Sequence, residues 1–326
     1  MAFFDFNKAF EEISSEINAI QFSREPKELY DPVTYFLGLG GKKMRPLLVL
    51  LGSYLYDDDY RRAIKPSLAV ELFHNFTLIH DDIMDNAPLR RGQKTVHEKW
   101  NQNIALLAGD VTLIEAYELL AFVPAQIRDD IYKKFNLTAR QVCEGQQFDM
   151  NFEQQGEVSI TSYIEMIKLK TAVLLGFSMY LGARLGGAEM EDAEKLYNAA
   201  LNLGISFQIK DDYLDVFGHQ EKVGKLVGGD IIANKKTYLL LNAFQLADAA
   251  DKKNLHDLLH NPQNTKEEKV KKVTLLYEKL GVRQQTEIAM NQYFQQSLLL
   301  LDQLAASPEK KEFLKKYFTD LKDRES

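Results

Sequence analysis

The sequence predicts an all-α fold, and three observations carry that expectation. No stretch of useful length alternates apolar and polar residues at the strand period of two. Only 8 prolines occur, and Pro26, Pro32, Pro66, Pro124, Pro262 and Pro308 fall at segment edges, which leaves long runs uninterrupted. Within those runs apolar residues recur at steps of three and four, the spacing that gives a helix one buried face.

Taken in order, Phe4 to Ile20 keeps a helical period through Phe6, Phe10, Ile13 and Ile17. A short helix is expected from Pro32 to Leu39, with Asp31 as N-cap and proline in the first position. Gly40 and Gly41 then break the pattern before Lys42, Lys43, Met44, Arg45 and Pro46. Such glycines permit a tight turn, and the basic residues are placed at a helix entrance whose free N–H groups also favour anions. A phosphate cradle and a solvated basic turn both fit that pattern. Tyr56 to Arg62, YDDDYRR, reads as a solvated loop, because consecutive aspartates point in different directions on any regular element.

The most informative helix spans Ala69, Leu72, Phe73, Phe76, Ile79 and Ile83 and ends in carboxylates. Asp81 and Asp85 lie one turn apart on one face, with Asp82 beside them. Like charges at that spacing repel by about 0.2–0.5 kcal/mol per pair, so a cation between them is the natural complement. Hard oxygen ligands suit Mg²⁺, which takes one or two carboxylates and completes its shell with water and substrate phosphate. Arg90 and Arg91 follow within two turns and offer guanidinium forks for phosphate oxygens. An acidic helix end followed by arginines is the bland alternative for one such box. A second copy, FQIKDDYLD from Phe207 to Asp215, repeats the spacing with Asp211, Asp212 and Asp215 and makes that alternative hard to sustain.

Gly92 to Trp100 reads as loop or short turn, with His97 structural, and Asn103 to Phe122 and Arg128 to Phe152 as long helices. Glu157 to Ala183 is a helical stretch in which Lys170 must either snorkel out of an apolar run or meet an anion. Glu191 to Phe217 carries the second box, and the glycine-rich, basic Gly218 to Lys236 should be a mobile loop. The remainder to Ser326 is helical and polar.

Composition bounds the rest. With 45% hydrophobic and 27% charged residues and no compositional boundary, the 326-residue chain reads as one domain, 1–326. A net charge of −7 argues against a nucleic-acid or anionic-membrane surface. The single cysteine, Cys143, excludes an intrachain disulfide, fits a reducing cytoplasm and is expected as a small core residue. The N-terminus lacks the pattern of a signal peptide, and the apolar runs 46–56 and 171–183 fall short of the roughly 20 residues that span a bilayer. No integral membrane segment is therefore expected.

GGKKMRP at Gly40 to Pro46, HDDIMDNAPLRRG at His80 to Gly92, Gly109–Asp110, EGQQFD at Glu144 to Asp149, Lys170–Thr171, FQIKDDYLD, and VGK and GGD around Lys225 and Asp230 occur in this order. Together they resemble the trans-isoprenyl diphosphate synthases, the polyprenyl synthetase family, over nearly everything from Gly40 to Tyr238. The resemblance implies helices around a deep central cavity, two aspartate boxes facing each other across its mouth, and a homodimer. It implies Mg²⁺ held by Asp81, Asp85, Asp211 and Asp215. It places isopentenyl diphosphate on Lys42, Arg45, His74 and Arg91, and the allylic diphosphate (dimethylallyl, geranyl or farnesyl) on Arg90, Lys170 and Lys235. Thr171 and Gln208 would line the reacting carbons, Lys225 and Lys235 would close over the substrate, Asp149 would pair with an active-site lysine, and Arg324 would cap the site.

A terpene cyclase shares the first box but usually lacks a second DDxxD and a second diphosphate site. A non-catalytic subunit of a heteromeric synthase typically loses one box. This chain has both boxes and the cradle, so a head-to-tail prenyltransferase is expected. Product length should follow from the side chains one to two turns before Asp81: Phe76 lies five residues back, roughly 7.5 Å along the axis, and Phe73 about a turn deeper. In similar enzymes short-chain products go with aromatics here, whereas C15 makers carry a further aromatic at Thr77 or two extra residues within the first box. C20 is the expectation, with C15 second.

Overall fold

The computed structural model describes residues 4–20, 25–218 and 228–323. The chain opens with α1 (Phe6–Ala19), α2 (Lys27–Gly38), α3 (Met44–Tyr54), a 3₁₀ turn at Tyr60–Ala63 and α4 (Ile64–Met84). A two-residue hairpin, β1 (Leu89–Arg90) and β2 (Gln93–Lys94), leads to α5 (Val96–Lys99), α6 (Gln102–Leu120) and α7 (Ala125–Gln154). Next come α8 (Ile160–Ile167), a π-helical turn at Lys168–Ala172, α9 (Val173–Gly186) and α10 (Met190–Phe217). The chain closes with α11 (Gly229–Ile232), α12 (Tyr238–Leu246), α13 (Ala249–His260), α14 (Lys266–Leu280), α15 (Val282–Asp302) and α16 (Pro308–Asp323). The fold is all-α, as the missing strand period predicts.

The helices group into two compact units, one of Met1–Asn136 with Phe177–Leu196 and the other of Leu137–Gly176 with Tyr197–Ser326. In the first, α1 is capped by the Asp5 carboxylate, which accepts from Asn7 N and Lys8 N, and it buries Ala9, Ile13 and Ile17 on one face. The apolar α4 is enclosed on most sides and packs extensively against α6, whose first turn is capped by Asn101. Gly182 of α9 meets α3 so closely that a Cβ there would lie 2.1 Å from the Val49 carbonyl oxygen. Only glycine fits that crossing.

The second unit has its own core, in which Tyr163, Ile205, Ile209, Leu239, Leu255, Val273, Leu276 and Val282 are buried. Its α14 begins with a reciprocal cap, Thr265 and Glu268 each satisfying the other's backbone N–H.

Several local expectations are corrected. α2 begins at Lys27, with Pro26 rather than Asp31 in the N-cap position, and Pro32 lies inside the helix. The ring leaves one carbonyl, that of Glu28, without its helical donor, and Glu28 is exposed, so water can serve it. Gly92 to Trp100 contains β2 and the single turn α5, and Glu157 to Ala183 is divided into α8, the π turn and α9 after a Ser159 cap. Cys143 is exposed, not core: α7 buries its neighbour Val142, one residue and therefore about 100° round the helix. Ile160–Gly186 is 27 residues long and apolar enough by length and composition to cross a membrane, but 83% of its most apolar window is buried within the protein. Lys225 and Arg324 lie outside the described residues, as do residues 219–227 of the glycine-rich segment; α11 lies in its described second half, entered through Gly228 at φ +84°.

Candidate active site

In the first unit the aspartate box forms the end of α4. Asp85 caps the helix, its N–H donating to the Asp81 carbonyl at 2.9 Å, so the two carboxylates leave the same last turn. Asp81 is partly exposed and Asp85 exposed, whereas Asp82 is 1% exposed. Both oxygens of Asp82 accept from Arg90 Nε, at 2.8 and 2.9 Å, and Arg90 Nη2 lies 2.7 Å from Oδ1. Arg90 Nη2 also approaches Asp81 Oδ2 at 3.6 Å. Arg90, expected on a substrate diphosphate, is therefore committed first to the middle aspartate of its own box.

Arg91 and Gly92 form the hairpin turn, with φ of +52° and +75° and Arg90 opposite Gln93. Positive φ at both central residues is the type I′ geometry that matches strand twist. The turn carries the Arg91 guanidinium onto the glycine loop, where Nη1 donates to the Gly40 carbonyl. A Cβ on Gly41, itself at φ +137°, would stand 2.9 Å from Arg91 Nη2. Glycine is thus needed there for its backbone and for space.

That loop enters α3 through Lys43 at φ +48°. Lys43 does not point to solvent: its Nζ is buried and lies 3.0 Å from Glu71 Oε1. Lys42 beside it is exposed. Arg45 Nη1 lies 2.9 Å from His74 Nε2, and since arginine can only donate, His74 accepts there and is neutral with its proton on Nδ1. Burial pulls the His74 pKa well below the usual value, and Arg45, Arg91, Arg90 and Lys43 push the same way. Burial also lowers Arg45 to about 10, opposed by the Glu71 charge. Arg45 Nε is buried with no hydrogen-bond partner among the described residues, a strong donor awaiting an acceptor.

On the same helix, Phe73 is fully buried, with ring centroids 5.6 Å from Phe76 and 5.2 Å from Phe135 of α7. Phe76 is partly exposed and packs edge-on against His80 at 4.8 Å. The Thr77 hydroxyl donates back to the His74 carbonyl at 2.8 Å. The structure therefore brings Phe73 and Phe76 together as a tilted aromatic pair one to two turns before Asp81.

The second unit repeats the division of labour within its box. Asp212 is buried, accepting from Tyr163 Oη at 2.5 Å and from Tyr238 N at 3.0 Å. Burial pushes its pKa up to about 7 against those two hydrogen bonds. Asp211 is exposed, and Asp215, half-buried, accepts from Asp230 N at 3.0 Å. Asp215 is thus tied to the start of α11.

Lys170 sits in the π turn, where α7 passes so closely that a Cβ on Gly145 would lie 2.2 Å from Lys170 N. Its ammonium is 2.6 Å from Asp149 Oδ2. This is the lysine partner that the sequence foresaw for Asp149 without identifying it. Thr171 Oγ1 reaches Gln208 Oε1 at 3.5 Å, the outer limit of a hydrogen bond. Lys235 follows α11, with Asp230 at 4.0 Å. Partial burial works against its charge, yet Asp230, Asp212 and Asp149 outweigh burial and hold its pKa above the ordinary lysine value. The adjacent Lys236 donates to the Phe152 and Gln155 carbonyls and fixes that segment to the end of α7.

Among the described residues no three His, Cys, Asp or Glu side chains stand close enough to hold a metal unaided. The donor sets fit Mg²⁺ of the kind that binds through one or two carboxylates with the other ligands from water and phosphate. Sequence reasoning missed Glu71 and the burial of Asp82 and Asp212. A carboxylate inside the otherwise apolar AVELF run was the available signal for Glu71, since it must be paired.

Residues 26–277 match the family model for polyprenyl synthetase. The chain is 40% identical over 236 residues to the geranylgeranyl pyrophosphate synthase of Geoglobus acetivorans, covering 72% of this chain and 73% of the relative. It is 41% identical over 225 residues to the geranylgeranyl diphosphate synthase of Methanosarcina mazei, covering 68% of each. The crystal structure of geranylgeranyl pyrophosphate synthetase from Pyrococcus horikoshii superposes with a TM-score of 0.90 at 32% identity, over 97% of this chain and 96% of that one.

Proposed function

The chain belongs to the polyprenyl synthetase family, and from that premise we propose that it is a trans-prenyltransferase joining isopentenyl diphosphate head-to-tail to an allylic diphosphate. Its main product is C20 geranylgeranyl diphosphate, with C15 farnesyl diphosphate the second reading. The observation that carries the proposal is the build of α4, where a carboxylate pair closes the helix and, two turns before it, neutral His74 accepts from the Arg45 guanidinium of α3. α4 thus joins a carboxylate end to an anion receptor that it builds with α3.

In this reading Lys42, Arg45 and Arg91 hold the diphosphate of isopentenyl diphosphate, the unsatisfied Arg45 Nε supplying one donor and His74 Nδ1–H another. Asp81 with Asp85, and Asp211 with Asp215, would hold Mg²⁺, which when bound would supply Lewis-acid neutralisation of the charge on the allylic diphosphate. Lys170, oriented by Asp149, and Lys235 hold the same leaving group, with Arg90 contributing what Asp82 leaves of its fork. Thr171 and Gln208 border the carbons that bond. The π electrons of isopentenyl diphosphate form the new C–C bond, and the proton then lost goes to the released diphosphate. Asp82 and Asp212, buried and already paired, position the boxes.

Both units belong to a single domain, 1–326, of a cytoplasmic homodimer. The exposed apolar Leu106, Leu107 and Ile114 of α6 support pairing through that helix. The decisive experiment incubates the purified protein with farnesyl and isopentenyl diphosphates, with Mg²⁺ or with excess chelator, and resolves the products by chain length. Mg²⁺-dependent C20 is expected. Failure to extend any allylic starter, or full activity in chelator, would refute it.

A further inference from the structure

Glu71 has no place among the diphosphate ligands, yet it is the buried carboxylate in their midst. Its side chain is 6% exposed in the middle of α4. It receives Lys43 Nζ at 3.0 Å and Asn75 Nδ2 at 3.3 Å on the same oxygen, and Asn75 Nδ2 also donates to the Glu71 carbonyl at 2.7 Å. Lys43 at the start of α3 bonds it directly, Arg45 of α3 and Arg91 of the hairpin feel its charge, and Arg90, Asp82 and neutral His74 are coupled in turn to those arginines.

Four cations gathered here repel one another, and burial adds a desolvation cost to Lys43, which is buried, and to Arg45 and Arg90, which are partly so, while Arg91 is exposed. Asp82 is spent on Arg90. The Glu71 charge reaches the other three, locking Lys43 directly and favouring the charged forms of Arg45 and Arg91. If Glu71 served only to satisfy Lys43, its influence would end at that ion pair.

We propose that Glu71 is a positioning residue of the homoallylic diphosphate site, the fixed counter-charge that keeps Lys43, Arg45 and Arg91 assembled until a diphosphate arrives. The inference rests on the reading of Arg45 and Arg91 given above and extends it to a residue that touches no substrate. The physical consequence is selective: homoallylic binding depends on Glu71, and allylic binding and the chemical step do not.

The test is steady-state kinetics of Glu71→Gln with each substrate varied in turn, at about pH 7 and about pH 9, beside thermal melting. KM for isopentenyl diphosphate should rise about tenfold, one step of 1.4 kcal/mol, with kcat and the allylic KM within about twofold of wild type. The rise should be larger at the higher pH. Glu71 holds the Arg45 pKa up, so its removal brings the loss of the Arg45 proton, and with it of diphosphate binding, to lower pH. The charge-balanced double variant Lys43→Gln/Glu71→Gln removes the ion pair without stranding a charge, so it remains measurable if the single variant folds poorly. Its homoallylic KM should stay raised. Recovery of wild-type KM there, or a uniform fall in kcat and both affinities that follows lost stability, would overturn the proposal. Arg45→Ala is the control: if it raises the homoallylic KM and Glu71→Gln does not, the inference alone fails, and if neither does, the reading of the site fails with it.

Discussion

Asp82 and Asp212 hold the same place in the two boxes, and each is buried against partners of its own, Arg90 in one case and Tyr163 with the Tyr238 N–H in the other. The box is therefore a pair of solvent-accessible carboxylates flanking a structural one, and substitutions should separate the two roles. Asp81→Ala is expected to lower turnover by at least about a hundredfold with an unchanged melting temperature, because it removes a metal ligand from a partly exposed position. Asp82→Asn should instead lower stability by about 2 kcal/mol, the loss of a buried charge-assisted bond, and reduce activity through a misplaced Arg90. Parallel melting curves and Mg²⁺ titrations distinguish them; an Asp82→Asn enzyme of full stability that needs more Mg²⁺ would reverse the assignment. The boxes were legible in the sequence because Asp81 and Asp85, and Asp211 and Asp215, share one helical spacing. Which carboxylate is buried was not, since Tyr163 and Tyr238 lie 49 and 26 residues from Asp212 and no local pattern joins them.

Among the elements, the hairpin and the glycine loop meet at one contact, the Arg91 guanidinium above Gly41. Gly41→Ala should displace Arg91 and strain the loop, raising the KM for isopentenyl diphosphate by about tenfold or more while the allylic KM stays within about twofold. Equal effects on both substrates would show that the loop serves the whole fold instead. The basic turn was readable from its glycines, but Lys43 turned inward because Glu71 provides a buried partner 28 residues on. The π turn at Lys168–Ala172 was likewise hidden, for KLKTA contains no glycine or proline to mark a break. The same sequence opacity explains α2, whose internal proline reads naturally as a start.

For the whole molecule, the all-α class followed from periodicity alone, and product length is the property that the fold determines through volume. Phe76, partly exposed, packs against buried Phe73 ahead of Asp81, and on the function proposed above the pair would form the floor for the growing chain. Phe76→Ala should lengthen the product by one or more C5 units when farnesyl and isopentenyl diphosphates are supplied, read by chromatography of the dephosphorylated alcohols. An unchanged distribution would place the limit elsewhere. One further consequence follows from the unequal depth of the cations in the receptor. Lys42 and Arg91 are exposed, whereas Lys43 and Glu71 are buried with Arg45 partly covered beside them. Mobile ions screen a charge in water over a Debye length of about 8 Å at physiological ionic strength but enter a buried cluster poorly. Added salt should therefore weaken isopentenyl diphosphate binding chiefly through Lys42 and Arg91, and Lys42→Ala should reduce the dependence of KM on ionic strength while leaving a salt-tolerant remainder of affinity. The receptor would then act as two attractors in series, an outer one tuned by the electrolyte that draws the anion in and an inner one, indifferent to it, that retains the anion.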